Sequence, residues 1–234
     1  MNLGDHATAS LGSHTWTELD GPPRATLLVP VGSTEQHGPH LPLDTDTRVA
    51  EAVARGAAAR LGPDTVVAPA VSFGAAGEHE AFPGTVSIGQ EALRLVLVEL
   101  GRSAGRWAHR LVFVNGHGGN VGVLREAVEL LRTEGRRVGW YGCGLPASAG
   151  FVQDGHAGRT ETSLLLALAP ETVRLELAAP GNTEPLASLL PAMRAAGVRA
   201  VSENGVLGDP AGASAQEGAA MLEVLVGALV QYVG

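Results

Sequence analysis

Six residues, Arg110-Leu111-Val112-Phe113-Val114-Asn115, form the plainest strand in the chain, and the loop and helix after them constrain its fold class. The run is short, apolar and rich in β-branched residues, as a buried strand is. It passes through Gly116-His117-Gly118-Gly119-Asn120 into a strongly periodic helix, Val121 to Glu134. The same alternation runs along the whole chain. Ala25-Thr26-Leu27-Leu28-Val29-Pro30-Val31 reads as a first strand. In the segment from Thr47 to Leu61, Val49, Ala50, Val53, Ala54 and Ala57 fall at helical spacing, and Gly62-Pro63-Asp64 stops the helix. Thr65-Val66-Val67-Ala68-Pro69-Ala70-Val71 reads as a second strand, followed by a Gly-rich loop and a helix from about Gln90 to Ala108. Val138-Gly139-Trp140-Tyr141 is a fourth strand, and helices from about Thr160 to Leu168 and from Ala219 to Tyr232 complete the chain. Strands alternating with helices imply a mostly parallel central sheet covered on both faces. The expectation is a single α/β domain over 1–234, in three α/β/α layers.

Bulk properties narrow the partners. A chain of 234 residues can bury one sizeable core. The net charge is −8 with no basic run, which argues against nucleic acid or an anionic membrane as the main partner. Cys143 is the lone cysteine, so no internal disulfide is possible, which fits a reducing cytoplasm. Met1-Asn2-Leu3-Gly4-Asp5-His6 has neither the basic region nor the apolar core of a signal peptide. Apolar stretches are broken by Glu99, Arg102 or Glu223 before they reach a membrane span. A cytoplasmic location is expected.

In open parallel sheets, ligands gather outside the carboxyl ends of the strands. That edge should collect three loops. After the first strand come Glu35, His37, His40, Asp44 and Asp46, a mix of carboxylates and imidazoles that suits a divalent transition metal. If the segment is extended, Glu35 and His37 share a face; the competing reading is a polar loop with a helix cap at Asp44 or Asp46. After the third strand, glycines flank His117 and leave its imidazole open to a ligand. A phosphate loop or a tight turn with an incidental histidine are the other readings there, and Asn120 is a supporting residue or a helix cap. After the fourth strand, Glu161 falls in the first turn of a helix, where the dipole favours a carboxylate anyway. With His156 five residues earlier it becomes a candidate ligand beside an acid/base. Glu78, His79 and Phe82, after the second strand, either line the pocket or belong to a solvated loop. His6, His14 and His109 lack clustered partners and read as structural or surface residues.

Four motifs carry a resemblance. Gly32-Ser33-Thr34-Glu35-Gln36-His37-Gly38-Pro39-His40-Leu41-Pro42, then Thr45-Asp46-Thr47, Asn115 to Asn120, and His156-Ala157-Gly158 through Glu161-Thr162-Ser163 are similar to the creatininase family. Phe82-Pro83-Gly84-Thr85 and the late Gly205 to Pro210 segment extend the likeness over most of the chain. The resemblance implies an α/β/α subunit, often a hexamer, with a two-metal amidohydrolase site. It also implies that Glu35 and His37 each bind one metal, that Asp46 bridges both, that His117 and Glu161 complete the shells, and that His156 handles a proton for the leaving group. Gly119 departs from creatininase proper, which has a glutamate ligand there, and this argues against creatinine as substrate. The wording of the motifs from Val29, from His156 and from Asn204 looks like the branch tied to mycofactocin biosynthesis. That branch acts as a peptidase on a short, modified, ribosomally made precursor peptide.

The ligand set also implies a mechanism of its own. Two divalent ions, with zinc, iron and manganese all suited, activate a water and polarise an amide carbonyl while an imidazole protonates the departing nitrogen. Arg159 or Arg48 is the expected partner for a terminal carboxylate of the substrate, the other reading being a helix-end or surface charge. Ser33 and Ser163 lack a nucleophile-elbow context. The remaining alternatives are hydrolysis of a cyclic amide or formamide, and a non-catalytic metal-binding scaffold.

Overall fold

In the computed structural model, which describes residues 10–22 and 24–234, four strands form one wholly parallel sheet. β1 (Thr26–Val31) and β3 (Arg110–Asn115) lie at its centre, with β2 (Thr65–Val67) beyond β1 and β4 (Val138–Gly142) beyond β3. Val31 pairs with Asn115, and Asn115 with Gly142, so three strands end level. The readings made of Met1–His6 concern residues outside those described.

Side chains alternate between the two faces of a strand, and the central strands divide the core accordingly. Leu28, Val112 and Val114 pack with α1 (Thr45–Leu61), α4 (Arg159–Leu168) and α6 (Ala215–Val233). Leu27, Val29, Val31, Leu111 and Phe113 pack with α2 (Gly89–Ala104) and α3 (Val121–Thr133). Three layers result, as the alternation predicts.

The differences from the sequence reading have local causes. β2 stops at Val67 rather than Val71, because Pro69 has no N–H for the ladder. The chain still runs alongside β1: Ala68 N–H donates to the Leu28 carbonyl and Val71 N–H to that of Pro30, both at 2.9 Å. α6 begins at Ala215, ahead of the expected Ala219, because the Ser214 hydroxyl caps it by accepting the Glu217 N–H. α5 (Leu186–Ala196) has no counterpart in the sequence reading. Pro185 precedes it, Pro191 lies inside it, and only Leu189 is buried, so neither periodicity nor propensity announces it. It forms a small satellite core with Val198 and Leu207. No helix among the described residues is long and apolar enough to cross a membrane.

Candidate metal centre

Past β1 the chain stays extended, with Thr34 bridged to Val86, so Glu35 and His37 turn to the same side; both are fully buried. Gly38, at φ +64°, then swings the chain round to α1, whose first turn carries Asp46. Neither Asp44 nor Asp46 caps α1 with its side chain. The loop after β3 reaches this point through Gly116, where any Cβ would collide with the Asp46 carbonyl. That contact brings His117 Nδ1 to 3.1 Å from Glu35 Oε2 and 3.4 Å from Asp46 Oδ2. The loop after β4 supplies the rest. His37 Nε2 lies 3.1 Å from Asp46 Oδ1 and 3.8 Å from Glu161 Oε2, and His156 Nδ1 is 3.9 Å from Glu35 Oε1.

Backbone carbonyls assign the ring tautomers, as they do for metal-binding histidines generally. His37 Nδ1–H donates to the Glu35 carbonyl, His117 Nε2–H to that of Ala75 and His156 Nε2–H to that of Gln36. Each ring therefore presents its other nitrogen to the carboxylates. Ala157 adopts φ +53°, a left-handed conformation unusual for alanine, and from it donates its N–H to Glu161 Oε2 at 2.6 Å. His156 is held by reciprocal backbone hydrogen bonds to Leu207, which gives the late Gly205 to Pro210 segment its place in the site.

The donor set fits divalent cations. Both oxygens of Glu35 and Oδ2 of Asp46 are buried without a hydrogen-bond donor, a costly state that a bound cation relieves. Ligands about 2.0–2.1 Å from a tetrahedral ion stand about 3.3 Å from one another. The facing atoms stand between 3.1 and 4.0 Å apart. Two groupings suit an ion each: Glu35, Asp46 and His117, and His37, His156 and Glu161. The charges agree. Burial alone would hold His37 neutral, but Asp46, Glu161 and Glu35 lift its imidazole to about 10. His117 is raised in the same way, against its burial, chiefly by Glu35. His156 goes the other way, pushed down to about 4 by burial and by the charge on His37.

The remaining expected residues divide. His79 is buried against the cluster, with Nε2 3.3 Å from Glu35 Oε1, and forms a third grouping with Glu35 and His156. Glu78 lies 3.7 Å from His117 Nε2, and a Cβ at Gly119 would collide with the His117 imidazole and the Ala75 carbonyl as well as the Glu78 carboxylate, so the three together fill the space a side chain at 119 would need. Phe82 is not at the cluster. It packs under Arg199 and against the satellite core. Arg159 is not brought to it either: its Nε donates to Glu217 at 2.9 Å, binding α4 to α6. Arg48 pairs with Asp44. His40 is buried beside the cluster but bonds Thr162. Asn120 does not cap α3; it accepts the Ala75 N–H and donates to Gly32 O and Asn115 Oδ1, tying three loops together.

One residue carries more than the sequence suggests. The Gln36 side-chain amide faces His79 Nδ1 at 2.9 Å, His156 Nε2 at 3.0 Å and Gly205 O at 3.1 Å. Because His156 Nε2 already donates to a carbonyl, the amide donates to His79 Nδ1 and Gly205 O, which puts the His79 proton on Nε2, near Glu35 but not hydrogen-bonded to it. Its adjacency to Glu35 and His37 in the motif was the only available signal.

Two cavities meet the cluster. The larger, of about 730 Å³, reaches Glu35, His79, His117 and His156 and is walled by α5. The smaller, of about 180 Å³, reaches Asp46, His156 and Glu161, with Cys143 and Asp154 in its lining.

A family model described as Creatininase, creatinine amidohydrolase, matches residues 13–233. The chain belongs to the creatininase family. Among its curated relatives, the mycofactocin precursor peptide peptidase of Mycobacterium tuberculosis (strain CDC 1551 / Oshkosh) is 54% identical over 245 residues, covering 100% of this chain and 95% of that protein. The protein of the same name from Mycolicibacterium smegmatis (strain ATCC 700084 / mc(2)155) is 58% identical over 196 residues, with 82% of this chain and 77% of that one covered. A solved creatininase structure, titled as the manganese form, superposes with a TM-score of 0.81 at 29% identity over 96% of this chain and 97% of that one. The three-layer creatininase fold read from the sequence therefore stands.

Proposed function

We propose that this creatininase-family protein is a metal-dependent peptidase that cleaves near the C-terminus of a short, modified, ribosomally made precursor peptide, the mycofactocin precursor. The observation that carries the reading is a buried carboxylate cluster, with three oxygens lacking a hydrogen-bond donor, that opens through Glu35 and His117 onto a cavity of about 730 Å³, large enough for several residues of a peptide. Full-length similarity to precursor peptidases supports the substrate class.

In this reading Glu35, Asp46 and His117 would hold one divalent ion and His37 and Glu161, with Asp46 in place of the neighbouring His156, would hold the other, zinc, manganese and iron being the candidates. When bound, such a pair acidifies a water and polarises an amide carbonyl. The chain's own residues do the rest. Asp46 directs one oxygen to His37 and the other to His117, so it would serve both positions. The Ala157 N–H fixes Glu161, and the Gln36 carbonyl fixes His156, so that Nδ1 faces the reacting groups. With its basicity lowered by burial, His156 would take the proton that the attacking water gives up and pass it on to the departing amine nitrogen. Gly119 stands where creatininase proper has its extra glutamate, and His117, Ala75 and Glu78 crowd the space beside it.

The test is to incubate metal-loaded protein with the precursor, before and after modification by its partner enzymes, and to follow fragments by mass. A released C-terminal fragment is expected. Creatinine hydrolysis with no peptide cleavage would overturn the reading in favour of a cyclic-amide hydrolase. The subunit is proposed to act as a homo-oligomer, a hexamer by family likeness. Exposed Trp16, Leu95 and Leu100 supply apolar surface for this, and sedimentation at monomer mass would refute it. Free Cys143 suits the reducing cytoplasm.

A further inference from the structure

Of the eleven residues of α5, only Leu189 is buried. Leu186, Leu190 and Met193 come at spacings of four and three, which puts them on one helical stripe. All three line the larger cavity, and Leu186 keeps 39% of its surface exposed. Met193 also packs against the satellite core, but the part of this stripe turned toward the cavity is apolar surface that an apolar ligand would cover.

Arg194 sits next to Met193 and lines the same cavity, the one arginine among its lining residues, in a chain that has no lysine. Arg48, Arg60, Arg102, Arg136 and Arg159 are each paired with a carboxylate. Arg194 has neither an ion pair nor a side-chain hydrogen bond among the described residues. An unpaired guanidinium beside an apolar stripe, at a cavity that otherwise offers Glu35, Glu78 and imidazoles, selects for a ligand with both an apolar group and an anionic one.

We infer that α5 is the specificity wall of the site: an apolar side chain of the peptide lies on Leu186, Leu190 and Met193, and a carboxylate of the same peptide pairs with Arg194. The inference rests on the peptidase reading and adds the chemistry that is recognised. It also replaces Arg159, whose guanidinium is held by Glu217, as the cation that meets the substrate. The carboxylate has two sources, the peptide's C-terminus or an acidic side chain near the scissile bond, and a guanidinium fork accepts either. A small neutral ring offers Arg194 nothing.

The experiment compares the metal-loaded full chain with its Arg194→Gln and Leu190→Ser variants on three substrates: the precursor peptide, its C-terminal amide, and a form with nearby Asp and Glu changed to Asn and Gln. Arg194→Gln is expected to raise KM for the acidic peptide roughly 10–100-fold, with kcat nearly unchanged. The penalty should vanish on whichever neutralised peptide lacks the recognised carboxylate, which names the source. Leu190→Ser is expected to raise KM on all three substrates while metal content stays constant. An Arg194→Gln variant with unchanged KM throughout, or with the same penalty on all three peptides, overturns the inference alone. A wild-type protein that cleaves none of them overturns the peptidase reading as well.

Discussion

Asp46 touches both halves of the cluster, Oδ1 toward His37 and Oδ2 toward His117. Asp46→Ala is therefore expected to lose both ions by elemental analysis, whereas Glu161→Gln loses one and keeps the fold. His156→Ala should cut turnover by about 10²–10⁴-fold while its metals remain; loss of an ion would make His156 a ligand. Protonation adds a third expectation. His37 is raised to about 10 from an unfolded value near 6.5, so its proton stabilises the metal-free chain fully below about pH 6.5, and that contribution is lost as pH rises through about 10. Metal binding must displace the same proton, so apparent affinity climbs over the same window. The melting-temperature gap between loaded and chelated protein should widen from about pH 7 to about pH 9; a constant gap would refute this. The convergence of Glu35, His37, Asp46, His117 and Glu161 was legible because each stands in a loop or first helical turn at the carboxyl edge of the sheet. Gln36 was not, because its partners at 79, 156 and 205 converge only in three dimensions, and Glu217, which holds Arg159, lies 58 positions away.

Between elements, the contact that matters most for the site is that of α4 with α6. Gly218 lies so close to the Ser163 carbonyl that no Cβ fits between them, and Glu217 accepts hydrogen bonds from Ser163 and Arg159 on the same side. Gly218→Ala is expected to force the helices apart, lowering stability by about 1–3 kcal/mol in a urea titration and lowering activity, since α4 carries Glu161 in its first turn. Gly227→Ala, on the same helix with nothing within 4 Å of the added carbon, should instead gain up to about 1 kcal/mol. Equal effects from the two would disprove the contact argument. The long periodic helices and both central strands were readable because burial imposes a pattern on them. α5 had no such pattern, since it buries one residue and turns its other large apolar side chains to a cavity.

At the scale of the molecule, the cluster draws on residues from 35 to 161, so cation binding reports on the whole tertiary fold. Chelation should lower the melting temperature by roughly 10 °C, from a few kcal/mol of linked binding in a chain of this size; an unchanged transition would mean that the cluster holds no ion. The two cavities have a consequence for turnover. Both touch His156, but otherwise they meet the cluster at different residues, Glu35 and His117 in one and Asp46 and Glu161 in the other. Every hydrolytic cycle consumes a solvent molecule, and a long ligand that plugs its own entrance starves the reaction. On the proposed peptidase reading the lesser chamber, with room for several waters, would be a separate supply line, the peptide arriving by one door and its co-reactant by another.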